Sequence, residues 1–257
     1  GQSTELAFRV EFADNKIPAK RELYWRGLTL SNFDGITWRQ SRLDALADAN
    51  ASWVDAGIPR WADNQIEIQP QKPQTYKVIL EPTDKVWLYS LLLSYSRTSG
   101  LGLTRDFRLV NQQPVFQRFS YDVMLFKVTR LDPTLPMWLR IDNLQIPEQT
   151  NLTAQKMAKS WRSFYGSDIA FIKAVLAWFT KSDFHYTLSP PVLGENRIDD
   201  FLFRSKRGFC EHYSSAFTFL LRAAGIPARV VVGYQGGELS PTGDSWQVRQ
   251  MDAHAWV

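Results

Sequence analysis

The sequence predicts two domains, an all-β, sandwich-like domain over residues 1–148 followed by an α+β domain over residues 149–257. Three observations carry this. Short alternating apolar runs separated by turn residues fill the first half, the apolar spacing changes to a helical period near Thr153, and β-branched runs return after residue 229. At 257 residues the chain is long enough for one large or two ordinary domains. Ten Trp and sixteen Phe exclude global disorder.

In the first half, Leu6, Phe8, Val10 and Phe12 alternate with Ala7, Arg9 and Glu11, the pattern of a half-buried strand. Residues 22–30, 65–69, 74–81 and 121–130 repeat it. Between them lie Asn32-Phe33-Asp34-Gly35, Glu81-Pro82-Thr83-Asp84 and residues 111–114, all with turn chemistry. Residues 41–64 read as a loop or a short helix. Trp25, Trp38, Trp53, Trp61 and Trp87 read as filling for the core and its rim rather than as a ligand-stacking platform. Residues 139–150, with Pro136 just before them and Pro147 within them, read as an extended linker that begins at about residue 136.

From Thr153 the residues Ala154, Met157, Ala158, Trp161, Phe164 and Tyr165 share one helical face, ending at Gly166. Ser167 can cap a second helix with the stripe Ile169, Ile172, Val175, Leu176 and Phe179. Phe184-His185-Tyr186 is a short extended piece, followed by a Pro-rich loop through Asn196.

The only cysteine, Cys210, comes just after Gly208-Phe209 and just before helical spacing at Tyr213, Ala216, Phe217, Leu220, Leu221 and Ala224. Gly225 is placed as a left-handed cap, with Ile226 and Pro227 behind it. Cys210 is therefore expected in the first helical turn, where unpaired N–H groups and the helix dipole favour a thiolate. Residues 229–234 and 246–249 read as strands, and residues 252–257 as a third that carries His254. A sheet packed against the cysteine helix could bring that imidazole to the thiol as its base. On these two residues alone, a buried small hydrophobe and a locally hydrogen-bonded histidine are the favoured readings over catalysis.

His212, two residues from Cys210, points elsewhere on a helix and is expected to pack rather than act. Glu211 reads as a structural partner of the positive helix end. No histidine pairs with a cysteine at metal spacing, so neither metal nor cofactor is predicted. The net charge of +4 is spread rather than blocked, which argues against nucleic acid as a partner. The longest apolar patch, residues 86–93, is far short of the roughly 20 residues of a membrane span, and there is no signal-peptide pattern. A lone cysteine forms no internal disulfide.

The runs Gly208-Phe209-Cys210, Leu221 to Arg229 with its Gly225-Ile226-Pro227-Ala228-Arg229, and His254-Ala255-Trp256 resemble the bacterial transglutaminase-like superfamily in content and order. Residues 190–196, 199–203, 24–28 and 33–38 are similar, more narrowly, to its membrane-anchored periplasmic members. The resemblance implies a papain-like transglutaminase core, truncated after the histidine strand, with Cys210 as nucleophile and His254 as base. It makes Tyr186 a candidate oxyanion donor beside the Cys210 N–H, with a plain core role for Tyr186 equally open. It puts the third, imidazole-orienting acid beyond Val257; Asp252 would share a strand face with His254 but is not promoted to that role. The chain begins without methionine and ends just after His-Ala-Trp, so it is expected to be a fragment of something longer; the resemblance implies the periplasmic region of a bacterial inner-membrane protein.

The expected activity is protein-glutamine γ-glutamyl transfer: a protein or peptide glutamine is the acyl donor, Cys210 carries a thioester, and a primary amine is the acceptor. The pair is expected to rest as thiolate and imidazolium. A papain-like cysteine peptidase or amidase and a non-catalytic cell-envelope scaffold are the alternatives.

Overall fold

The computed structural model describes residues 3–56, 66–68, 72–131 and 134–257. The chain divides into two compact units, each drawn from distant stretches. The first comprises Gly1–Leu28, Ala45–Thr134 and Val232–His254; the second comprises Thr29–Asp44, Leu135–Val231 and Ala255–Val257.

The first unit is built on a six-stranded antiparallel sheet in the order Glu238–Leu239, Trp246–Arg249, Leu6–Phe12, Gln74–Leu80, Phe119–Leu125, Ser94–Tyr95. Period-two alternation sets its two faces. Phe8, Val10, Tyr76, Val78, Tyr121, Val123 and Val248 are buried on one face. On the other, Glu11, Lys77 and Asp122 stand in cross-strand register, acid, base and acid. Trp25 is fully buried, edge-on to Phe8 at 5.4 Å, and its Nε1 donates to the Gly236 carbonyl at 3.2 Å. It is core, as its sequence context predicts. Gly233 is required beside it, because a Cβ there would lie 1.9 Å from the Trp25 carbonyl oxygen. Two strands from the C-terminal half of the sequence complete this sheet, Trp246–Arg249 by pairing with Leu6–Phe12 and Glu238–Leu239 by pairing with Trp246–Arg249.

Several expected elements shift. The strand expected over residues 22–30 is Tyr24–Leu30, since Lys20–Glu22 form a 3-10 turn. The run 121–130 is two strands, Phe119–Leu125 and Val128–Leu131, and the run 65–69 holds the strand Ile66–Ile68. Residues 41–64 contain the helix Arg42–Ala49; residues 57–64, with Trp61, lie outside the described residues.

The second unit is mainly helical: Met137–Asp142, Leu152–Phe164, Asp168–Lys181 and Cys210–Ala223, with a short parallel pair, His185–Tyr186 beside Arg207–Gly208. Its core gathers Ala154, Ala158, Phe171, Val175, Phe201, Ala216 and Phe219. Ser167 caps its helix as expected, accepting from the Ala170 N–H at 3.1 Å. The apolar stripes are narrower than the spacing suggests. Phe164, the last residue of its helix, is 82% exposed, and Ile169 and Leu176 are also exposed. The small Ala154 and Ala158 and the pair Phe171 and Val175, four residues apart, form the faces that close on the core.

Residues 139–150 are not an extended linker. Pro136 opens the helix Met137–Asp142 in place of a spacer. The next residues are then tied into the second unit. The Asn143 carbonyl accepts from the Ala228 N–H at 3.0 Å, and Gln145 accepts from the Phe33 N–H at 3.0 Å while donating to the Phe33 carbonyl at 2.9 Å.

Candidate active site

Cys210 is the first residue of the helix Cys210–Ala223, as its sequence context predicts. Two local devices hold that helix end. Gly208 lies so close to His212 that a Cβ would stand 2.4 Å from the imidazole. The His212 ring folds back there, and its Nδ1 accepts from the Phe209 N–H at 3.2 Å. His212 is thus a cap, spent on the backbone. At the other end Gly225 adopts φ +83°, the Ile226 N–H donates to the Leu221 carbonyl at 2.9 Å, and the Gly225 N–H donates to the Arg222 carbonyl at 3.0 Å. This is a Schellman closure.

The Cys210 thiol is half-buried, and its pKa is raised above the ordinary value of 9.0. Burial is the largest cause; the backbone N–H of Ala255 opposes it, the Glu211 carboxylate adds to it, and the N–H groups of Glu211 and Cys210 oppose it. The expectation of a thiol that ionises readily fails for that reason: desolvation outweighs the helix end. His254, second residue of the strand Ala253–Trp256, is half-buried, with the Tyr24 ring 6.2 Å away. Burial lowers its pKa below the ordinary 6.5. Both directions favour a resting neutral thiol and neutral imidazole, not the expected ion pair.

Tyr186 is 63% exposed, which rules out the plain core reading, and its ring stacks on Tyr213 at 6.3 Å. Its hydroxyl oxygen accepts from the Cys210 N–H; burial of the phenol and the neighbouring Cys210 raise its pKa. The structure therefore brings Tyr186 and Cys210 together within the second unit. His254 closes the first unit's last segment, and the residue after it, Ala255, is the one whose N–H reaches the Cys210 sulfur.

Asp252 does not share a strand face with His254. It ends the 3-10 turn Gln250–Asp252 and accepts from the Arg249 N–H at 2.9 Å, capping that turn. The Ala255 amide has no signal in the sequence, because a backbone donor is supplied by any residue type. Among the described residues no group of three or more His, Cys, Asp or Glu side chains is placed to hold a metal, and no helix is long and apolar enough to cross a membrane.

Comparison with known proteins adds to this geometry. Residues 1–132 match the model of the TgpA N-terminal domain, and residues 155–257 match that of the transglutaminase-like superfamily. The chain is 40% identical over 259 aligned positions to a protein-glutamine gamma-glutamyltransferase of Pseudomonas aeruginosa, covering 100% of this chain and 36% of that protein. It is 34% identical over 119 positions to YebA of Bacillus subtilis, covering 44% of this chain and 16% of that one. It thus spans well under half the length of these relatives. Among solved structures, the periplasmic domain of TgpA from P. aeruginosa superposes with a TM-score of 0.87 at 39% identity, over 99% of this chain and 83% of that one. The same domain bound to ethylmercury gives 0.85 at 39% identity, over 99% and 85%.

Proposed function

Because the chain belongs to the TgpA family, with an N-terminal TgpA domain followed by a transglutaminase-like core, we propose that it carries out protein-glutamine γ-glutamyl transfer with Cys210 as nucleophile and His254 as base. The observation that carries this is the set of groups around one sulfur. The Cys210 N–H and the Tyr186 hydroxyl meet beside the thiol, and the Ala255 N–H, one peptide bond from His254, is directed at it.

In this reading His254, neutral at pH 7, takes the thiol proton as the sulfur attacks a glutamine carboxamide. The developing oxyanion accepts from the Cys210 N–H and the Tyr186 O–H. The C–N bond breaks, ammonia leaves with the proton from His254, and a γ-glutamyl thioester remains. A primary amine then attacks, His254 removes its proton and returns it to the sulfur, and an isopeptide bond is released. The papain-like arrangement of the core, a third acid beyond Val257 that orients His254, and the division near residue 148 belong to the same proposal. So does placement on the periplasmic side of a bacterial inner membrane, in a membrane-anchored protein.

The test is transfer of a labelled primary amine onto a glutamine-rich protein by the intact enzyme, beside Cys210→Ala and His254→Ala. We expect labelling that falls by about 10⁴-fold or more in either variant. Cys210-dependent cleavage without labelling would instead assign a peptidase; neither activity would leave a binding scaffold.

A further inference from the structure

The segment Phe33-Asp34-Gly35-Ile36-Thr37-Trp38 lies within the stretch that matches the TgpA N-terminal domain, yet it belongs to the second compact unit and rests on the cysteine helix. It forms a short hairpin, Asn32–Phe33 antiparallel to Trp38–Arg39, with Phe33 opposite Trp38 and the two rings stacked 4.7 Å apart. The Asp34 carboxylate fixes its turn, accepting from the Ile36 N–H at 2.8 Å and the Thr37 N–H at 2.7 Å. Three side chains of Cys210–Ala223 meet this hairpin. The Trp38 Nε1–H donates to the Ser215 hydroxyl at 2.8 Å, the Phe33 ring meets Phe219 edge-on at 5.9 Å, and the Arg222 guanidinium lies 4.8 Å from the centre of the Trp38 ring. Positions 215, 219 and 222 recur at helical spacing, so one face of the helix takes all three contacts. Arg222 closes the arrangement: its Nη1 donates at 2.7 Å to the carbonyl of Gln145, whose side chain clamps Phe33.

Ser215 is bonded differently from the other hydroxyls on this face and its neighbours. A serine or threonine inside a helix tends to donate to the carbonyl four residues back, which bends the helix. Ser214 donates in this way to Cys210 at 2.8 Å, and Thr218 to Ser214 at 2.7 Å. The matching acceptor for Ser215 is the Glu211 carbonyl, in the turn that carries the sulfur. That carbonyl already takes a long second bond from Ser214 at 3.3 Å, and another hydroxyl would draw it from its helical N–H. Among the described residues the Ser215 side chain bonds to Trp38 alone. Resting on the acyl-transfer reading, we propose that Trp38 is a positioning residue for Cys210. Its indole N–H occupies the Ser215 hydroxyl, keeps it from the Glu211 carbonyl, and so holds unbent the first turn that presents the sulfur and the Cys210 N–H. The transglutaminase-like core is then completed by a residue of the N-terminal domain sequence.

The experiment compares Trp38→Phe, Ser215→Ala and the double variant in the intact enzyme, with amine transfer to a small glutamine amide as readout and activity expressed per folded molecule. Trp38→Phe keeps an aromatic ring but frees the Ser215 hydroxyl, so kcat should fall about tenfold with KM changed less than about twofold. Ser215→Ala has no hydroxyl to bend the helix and should cost at most about twofold. The double variant removes both partners of the bond, which leaves no group seeking the Glu211 carbonyl, and should recover most of the kcat lost in Trp38→Phe. A double variant no better than Trp38→Phe would overturn the proposal. So would a Trp38→Phe that unfolds at lower temperature but keeps the wild-type kcat, since Trp38 would then be core packing only. If the wild-type enzyme transfers no amine, alkylation of Cys210 by iodoacetamide at pH 8 decides in its place. A rate about threefold lower in Trp38→Phe and restored in the double variant would leave the brace standing while the acyl-transfer reading fails; equal rates in all variants would overturn the brace as well.

Discussion

Cys210 and His254 are both half-buried and both biased toward their neutral forms, yet they are held by different means. Around the thiol several groups oppose one another: burial and the Glu211 carboxylate raise its pKa, while N–H groups from Ala255, Glu211 and Cys210 itself lower it. Around the imidazole burial lowers the pKa, with an aromatic neighbour in Tyr24. The nucleophile is therefore tuned by separable local groups, and the base by enclosure. Single substitutions near Cys210 should move its chemistry in either direction, whereas His254 should respond mainly to changes that admit water.

The largest effect expected from a non-reacting residue is at Gly208. Gly208→Ala drives a methyl into the His212 ring and displaces the first turn that carries the sulfur, so kcat/KM should fall by about 10²-fold or more. His212→Ala removes the obstacle. The double variant should recover part of the loss, and a double-mutant cycle in which the two changes simply add would refute this account. Next in size is Tyr186→Phe, which keeps the ring stacked on Tyr213 but removes the hydroxyl at the Cys210 N–H. The kcat should drop roughly 10²-fold with little change in KM for a small amide donor; a change in KM alone would make the hydroxyl a binding group only.

How far these residues could be read from the chain alone follows the range of the forces involved. Cys210, its helix, the Gly225 stop and the Ser167 cap were legible because each is decided within a few residues by spacing and backbone preference. Tyr186 was legible as a candidate, but its exposure was not. The membership of Trp246–Arg249 in the sheet of Leu6–Phe12 was hidden, since pairing between segments so far apart leaves no local mark. The raised thiol pKa was not legible for a related reason. Helix-end electrostatics can be read from position, whereas the desolvation that outweighs them depends on what folds over the thiol.

The pH dependence tests the two directions directly. His254 titrates below 6.5 and Cys210 above 9.0. The acid limb of kcat/KM should therefore lie below the ordinary histidine value, where protonation of the base stops proton removal. The alkaline limb should lie above the ordinary thiol value, where loss of the thiol proton leaves none to accompany ammonia. Between them activity should form a broad plateau. Iodoacetamide should alkylate Cys210 with a rate that rises with pH through a midpoint above 9.0. A midpoint below His254's own would restore the resting ion pair.

The smallest predicted effect separates the two environments most cleanly. Glu211 sits on the exposed side of the first turn, and its charge raises the Cys210 pKa. Glu211→Gln removes the charge and keeps the side chain's size and the backbone N–H directed at the sulfur. Solvent screening limits the change, so the alkylation rate at pH 8 should rise by only about two- to threefold. The acid limb set by His254 should not move. If it shifts together with the thiol, the two groups titrate as one coupled system, and the contrast between a thiol tuned by its neighbours and an imidazole tuned by burial does not hold.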